Sequence, residues 1–267
     1  MVRAVPTPLR ILAWVFVGLC AVFLLGPLVV VVGVSLSESR FVAFPPNGLS
    51  LQWYQRVLAS DAYLAAGWLS LRVAVLVTIS ATLLGGAAAV AIHRRKLPGS
   101  EAMGAFFLSP LVLPTIIYAI GMLMLWSMLF GPVSVPVLWL AHTVIASPYV
   151  VRTTLAVLAD SDPFLEEAAA TMGAGRMQRL LLVVLPQCTP GLAAGAFFAF
   201  NVSFDEAVLS LFLRRPGMTT LPVQIYSELE FSPDPSVAAV STIMILITIA
   251  LILIIDRIVG VQKVASS

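Results

Sequence analysis

Two acidic side chains, Asp205 and Glu206, stand beside Asn201, Ser203 and Phe204 in a stretch that is otherwise almost wholly apolar. An ionised carboxylate at membrane depth is costly unless it is paired or faces water, so such residues usually mark a pathway or a fixed partner. A cationic solute would be drawn to two carboxylates in a cavity of low dielectric. The same pair can instead meet Arg214, Arg215 or a neighbouring subunit, and the residues alone leave both roles open. Counted from Thr189 as the inner end of its span, Asp205 lies about 24 Å along a helix, in the outer half.

Other reactive groups are sparse. His93 and His142 are the two histidines, and Cys20 and Cys188 the two cysteines. Neither set has metal-ligand spacing or forms a disulfide framework. A membrane enzyme would need a clustered catalytic set, which these positions do not supply. His142 inside an apolar run reads as a helix–helix hydrogen bond or a proton relay. The chain has no G-x4-G-K-[ST] loop, and Lys96 and Lys263 lack the glycines that such a loop places before its lysine.

The connection 160–186 is polar at its start and patterned as helix. Asp162 suits an N-cap and Pro163 the first helical position, where its missing N–H costs nothing. A helix over 163–172 follows, with Glu166 and Glu167 near the positive end of its dipole. Gly173 then allows the left-handed turn that ends it. Phe164, Leu165, Ala168, Ala169 and Met172 give it closely spaced apolar faces, and small alanines let another surface approach. A second amphipathic stretch, 176–185, is expected to stop at Pro186. On helix signals alone this is also a plain surface loop joining two spans.

The elements that position these groups follow from composition. Of 267 residues, 60% are hydrophobic and 10% charged, with a mean hydropathy of +1.03. Soluble domains carry roughly 25% charged residues, so the bilayer is the expected solvent. About 20 apolar residues cross the hydrocarbon core as a helix. Six stretches qualify: 11–36, 68–92, 104–130, 135–158, 189–213 and 237–259. The first is too long for the apolar core of a signal peptide and reads as a retained anchor. Trp53 and Tyr54, in the outer connection 37–67, suit a membrane interface. Gly191 and Gly195 permit close helix packing, Pro27, Pro110, Pro114 and Pro148 kink helices, and Arg152 snorkels to the interface.

Basic residues set the orientation. Arg3, Arg10, Arg94, Arg95, Lys96, Arg152, Arg176, Arg179, Arg257 and Lys263 fall on one side of the alternating connections. The other side has Arg40, Arg56, Arg214 and Arg215, with Arg72 just inside a span. Both termini are therefore expected in the cytoplasm.

Glu167-Ala168-Ala169, then Gly173, then Val183-x-Leu185-Pro186 resembles the signature of ABC-importer permease subunits, E-A-A-x3-G-x9-I-x-L-P, with Val183 in place of isoleucine. Leu108-Ser109-Pro110-Leu111-Val112-Leu113-Pro114, Ser203-Phe204-Asp205-Glu206 and Leu221-Pro222-Val223-Gln224-Ile225-Tyr226-Ser227 resemble segments of the spermidine/putrescine-type permeases. That group has two aspartates where this chain has Asp205-Glu206. Related permeases for iron, thiamine, sulfate, opines or phosphonates share parts of this second set.

The resemblance implies an all-α integral membrane protein, one permease domain with the type I importer fold and a cytoplasmic coupling helix. Glu166, Glu167, Ala168, Ala169, Met172 and Gly173 would then dock a separate ATPase subunit. Asn201, Ser203, Phe204, Asp205 and Glu206 would line the path of a polyamine or similar organic cation. The implied partners are two ATP-binding subunits, a second, homologous permease, an external solute-binding protein and membrane lipid, with no nucleic acid. The chain would hold no cofactor, ATP and Mg lying on the ATPase, and its place would be the bacterial inner membrane. A stand-alone secondary transporter or channel is the alternative; it would leave the Glu167–Pro186 pattern unexplained.

Overall fold

A computed structural model describes residues 7–94, 99–231 and 233–265. Arg3, Arg95 and Lys96, used above for orientation, lie outside them. The described residues form helices and no named strand; an isolated bridge joins Arg215 and Met218. Among the described residues five helices are long and apolar enough to cross a bilayer, and a bent pair of helices makes a sixth if the two together count as one span. The residues group into two compact units.

The first unit holds helix α1 (Thr7–Ser35), α2 (Gln52–Leu58) and residues 227–246. The apolar window of α1 is 0% buried by the rest of the chain. Such a surface must meet lipid or another subunit, because water would not tolerate it. At its end the polar groups are well placed: Trp53 Nε1 donates to the Ser37 carbonyl at 2.7 Å, and Tyr54 Oη and Ser35 Oγ lie 2.7 Å apart. Trp53 is buried rather than half wet at an interface, because this bond and the loop after α1 draw the ring inward. Arg56 bonds Asp234 at 3.0 Å.

The second unit holds the rest: α3 (Asp61–His93), α4 (Ser100–Leu108), α5 (Thr115–Phe130), α6 (Val135–Ala159), α7 (Pro163–Thr171), α8 (Arg176–Arg179), α9 (Leu185–Phe204) and α10 (Val208–Phe212). Helix α11 (Leu221–Phe231) and helix α12 (Ser236–Ala265) pass from one unit into the other. The core is built on α6, whose Val137, Leu138, Ala141, Ala146 and Val150 are fully or almost fully buried. Val73 and Val77 of α3, Ala199 of α9 and Leu209 of α10 pack with them.

Helix α9 crosses α6 at close range. A Cβ on Gly195 would sit 2.8 Å from Val150 Cα, and one on Gly191 2.8 Å from the Thr153 carbonyl oxygen. Small residues let helices meet this closely in membranes, where dispersion rather than hydrophobic expulsion drives association.

Three features differ from the expected spans. The stretch 104–130 is broken: Ser100–Leu111 and Thr115–Phe130 meet at 100°. Pro114 disfavours helical backbone at the residue before it and lacks an N–H, so α5 starts afresh there. Conversely, the helix does not stop at Pro186. A π-helical turn, Leu180–Val184, joins α8 to α9, and Arg176–Phe204 runs on as one 29-residue span. A wider turn just before a proline takes up the register change that its missing N–H would otherwise force on an α-helix. The fifth passage also ends sooner than 213, because the helix breaks at Asp205 and restarts as α10 at Val208.

Candidate functional site

Helix α7 is a nine-residue amphipathic helix between the spans α6 and α9. Asp162 Oδ1 accepts from the Phe164 N–H at 2.9 Å, capping its start. Its end is set by Gly173, whose φ of +86° is a backbone conformation that residues with a Cβ adopt only under strain.

The expected docking residues divide between two faces. Glu167, Ala168, Met172 and Gly173 are exposed, as are Phe164 and Leu165. Ala169 is buried and turns to the chain's own interior. Glu166 also turns inward: its Oε1 accepts from Arg94 Nη2 at 2.9 Å, and Arg179 Nη1 lies 3.8 Å away. This clamp ties α7 to the end of α3 and the start of the α8–α9 span. Nothing in the sequence pattern pairs residues 72 positions apart, so Glu166 was legible only as an N-terminal acid.

The segment after α9 has a different character. Asn201 Nδ2 bonds the Phe197 carbonyl at 2.9 Å, and its Oδ1 accepts from Thr248 at 3.2 Å. Ser203 is buried against His142, and Phe204 is buried and stacked on Phe200 at 5.3 Å. Glu206 Oε1 accepts from the Leu209 N–H at 3.0 Å, so its carboxylate caps the restarted helix α10. Asp205 is exposed at the break and has no ion pair among the described residues. Neither carboxylate bonds Arg214 or Arg215.

The helix–helix hydrogen bond expected at His142 is present, and sequence reasoning missed only its partners. His142 is fully buried; its Nδ1 lies 3.0 Å from Ser203 Oγ and its Nε2 3.2 Å from Ser210 Oγ. A second network joins Trp139 Nε1 to Ser80 Oγ at 3.1 Å and Ser80 Oγ to Thr143 Oγ1 at 2.9 Å. Cys188 packs with Leu158 and Val184.

Apolar helices of membrane-spanning length, several of them packed on the core around α6, with an amphipathic helix tethered between two of them and a helix interrupted at a pair of carboxylates, define a polytopic membrane protein. The chain belongs to the binding-protein-dependent transport system inner membrane component family, which it matches over residues 81–263. It is 31% identical over 230 residues to the putrescine transport system permease protein PotI of Escherichia coli K12, covering 84% of this chain and 82% of that one. It is 30% identical over 244 residues to the spermidine/putrescine transport system permease protein PotC of the same strain, covering 91% and 92%. Among solved structures, a chain of a bacterial ABC transporter for the acidic polysaccharide alginate aligns with TM-score 0.65 at 18% identity, over 96% of this chain and 95% of that one. A chain of the MetNI methionine ABC transporter aligns with TM-score 0.61 at 21% identity, over 76% and 98%. The fold is that of the type I ABC importer permeases.

Proposed function

We propose that this permease subunit carries a polyamine or similar organic cation, and that partner ATPases drive it through α7. The observation that carries the reading is the exposed face of α7: Phe164, Leu165, Ala168 and Met172 stand uncovered between two spans while Glu166 fastens the opposite face. A helix held at one face and bare at the other transmits a partner's closure as a rigid-body shift. With both termini in the cytoplasm, α7 lies on the cytoplasmic side, where two ATP-binding subunits meet it.

The substrate class is supported by the names of the two relatives and by the exposed carboxylate of Asp205 at the helix break. Asp205 contacts the cation in transit, and Glu206 holds the break open by capping α10. The uncovered α1 supports a second permease subunit, and the family's name supports a binding protein that delivers the solute.

The test is uptake in vesicles holding this chain, its second permease and its ATPase, with the binding protein outside. ATP-dependent accumulation of labelled putrescine or spermidine is expected. Uptake that proceeds without the ATPase, or a binding protein that retains a sugar or an anion instead, would overturn the reading in its mechanism or its substrate respectively.

A further inference from the structure

A groove of about 860 Å³ opens where α3 ends and the α8–α9 span begins. Its charged lining is Arg94, Arg176 and Arg179 against the single carboxylate of Glu166. The rest is almost wholly apolar, with Val90, Leu181, Leu185 and Leu192 along its length. Leu181 and Leu185 are 51% and 42% exposed, so the groove is open along its apolar side.

The arginines carry more donors than the chain satisfies. Each guanidinium presents five N–H groups, yet Arg94 and Arg179 share one Glu166 oxygen, at 2.9 and 3.8 Å. Nε of both is buried with no hydrogen-bond partner. Arg176 has no ion pair among the described residues. A cationic head at a span end above an apolar trough matches a molecule with an anionic head and hydrocarbon tails. Basic pockets between helices on the cytoplasmic side bind acidic lipid headgroups for this reason, and a guanidinium fork matches phosphate oxygens. A protein segment would need acidic residues at its tip to suit the same charges.

We propose that this groove holds one anionic phospholipid of the cytoplasmic leaflet, its phosphate on Arg94, Arg176 and Arg179 and its acyl chains along Leu181, Leu185 and Leu192. The inference rests on the inward placement of α7. Because Arg94 and Arg179 also grip Glu166, the lipid headgroup sits beside the tether of the docking helix. It thereby bears on how firmly α7 is held.

The experiment places the photo-cross-linking residue benzoylphenylalanine at Leu181 in the assembled importer. The vesicles contain phosphatidylglycerol and phosphatidylcholine in equal amounts, with identical acyl chains. After irradiation, mass spectrometry should find phosphatidylglycerol adducts in large excess. Arg176→Gln, an exposed and unpaired position, should lower that excess about fivefold, the factor expected for one arginine near an anionic surface. Equal adducts of both lipids, an excess unmoved by Arg176→Gln, cross-linking to a protein subunit, or no lipid adduct would each overturn the proposal. So would loss of the excess in millimolar inorganic phosphate, which would mark a free-phosphate site. ATP-driven uptake is read in the same vesicles, so retained uptake with no lipid preference overturns this inference alone. Labelling of Met172→Cys by an impermeant thiol reagent only from the outer face would overturn the orientation on which it rests.

Discussion

His142 Nδ1 lies 3.0 Å from Ser203 Oγ, and because Ser210 bonds the other ring nitrogen, one imidazole spans the helix break at Asp205. The ring comes from α6, the central helix, while the two serines stand on either side of the interruption. A broken helix in a bilayer must have its freed polar groups satisfied by neighbours. Glu206 does this for the Leu209 N–H, and His142 ties the two sides of the break together through their serine hydroxyls, so the break is held in place by its neighbours.

His142→Leu is therefore expected to destabilise the protein by about 1–3 kcal/mol, because two buried hydroxyls lose their partner. Removing the hydroxyls as well should recover part of that loss, since an apolar replacement of every partner is far less costly than an orphaned one. The measurement is the unfolding midpoint of the detergent-purified protein for His142→Leu and for the triple variant with Ser203→Ala and Ser210→Ala. A triple variant less stable than the single one would show that the serines are held by something other than the imidazole.

The crossing of α6 and α9 makes a second, purely steric prediction. Gly195→Ala places a methyl 2.8 Å from Val150 Cα, a backbone atom that cannot step aside. About 1–3 kcal/mol of overpacking strain is expected. Gly121→Ala, in the interior of α5, meets nothing within 4 Å and should instead stabilise by about 0.5–1 kcal/mol, the ordinary helix-propensity gain of alanine over glycine. Equal midpoints for the two variants would remove the close crossing as a source of stability.

These contrasts also show what the sequence made legible. Local signals announce themselves: Asp162, Pro163 and Gly173 bound α7 because caps and positive φ are properties of single residues. The Glu167–Pro186 spacing identified the family for a similar reason. Pro110 and Pro114 announced a kink before α5, but its size of 100°, the π turn that carries a helix through Pro186 and the interruption at Asp205 were hidden. Each depends on tertiary packing, in which residues far apart in sequence meet, as the His142 ring meets the Ser203 hydroxyl across 61 positions. The partition of α7 was hidden too, because Arg94 and Glu166 meet only after three spans have packed.

That partition separates two adjacent glutamates by role. Glu167→Lys should abolish ATPase recruitment and lower uptake at least about tenfold while leaving the unfolding midpoint nearly unchanged, because its exposed side chain has no ion pair among the described residues to lose. Glu166→Gln should instead lower the midpoint slightly, by no more than about 1 kcal/mol given its partial exposure and solvent screening. Its ATPase recruitment should survive, with α7 less firmly tethered. Co-purification of the ATPase with each variant, together with thermal unfolding, checks both halves. A Glu166 variant that loses the ATPase at full stability would reverse the assignment of faces.

The carboxylates at the break divide in the same way. Glu206→Ala removes the acceptor that caps α10 and should cost about 1 kcal/mol, whereas Glu206→Gln keeps an oxygen there and should cost less. Asp205→Asn disturbs no ion pair among the described residues, so stability should hold while the attraction for a polycation falls. The expected readout is a rise of about tenfold in the putrescine concentration giving half-maximal uptake, equivalent to about 1.4 kcal/mol. Part of that difference should disappear at high ionic strength, because a charge open to solvent is screened. Asp205→Glu, which moves the charge without deleting it, should restore most of the affinity. Half-saturation unchanged in Asp205→Asn and insensitive to salt would take Asp205 out of the cation's path.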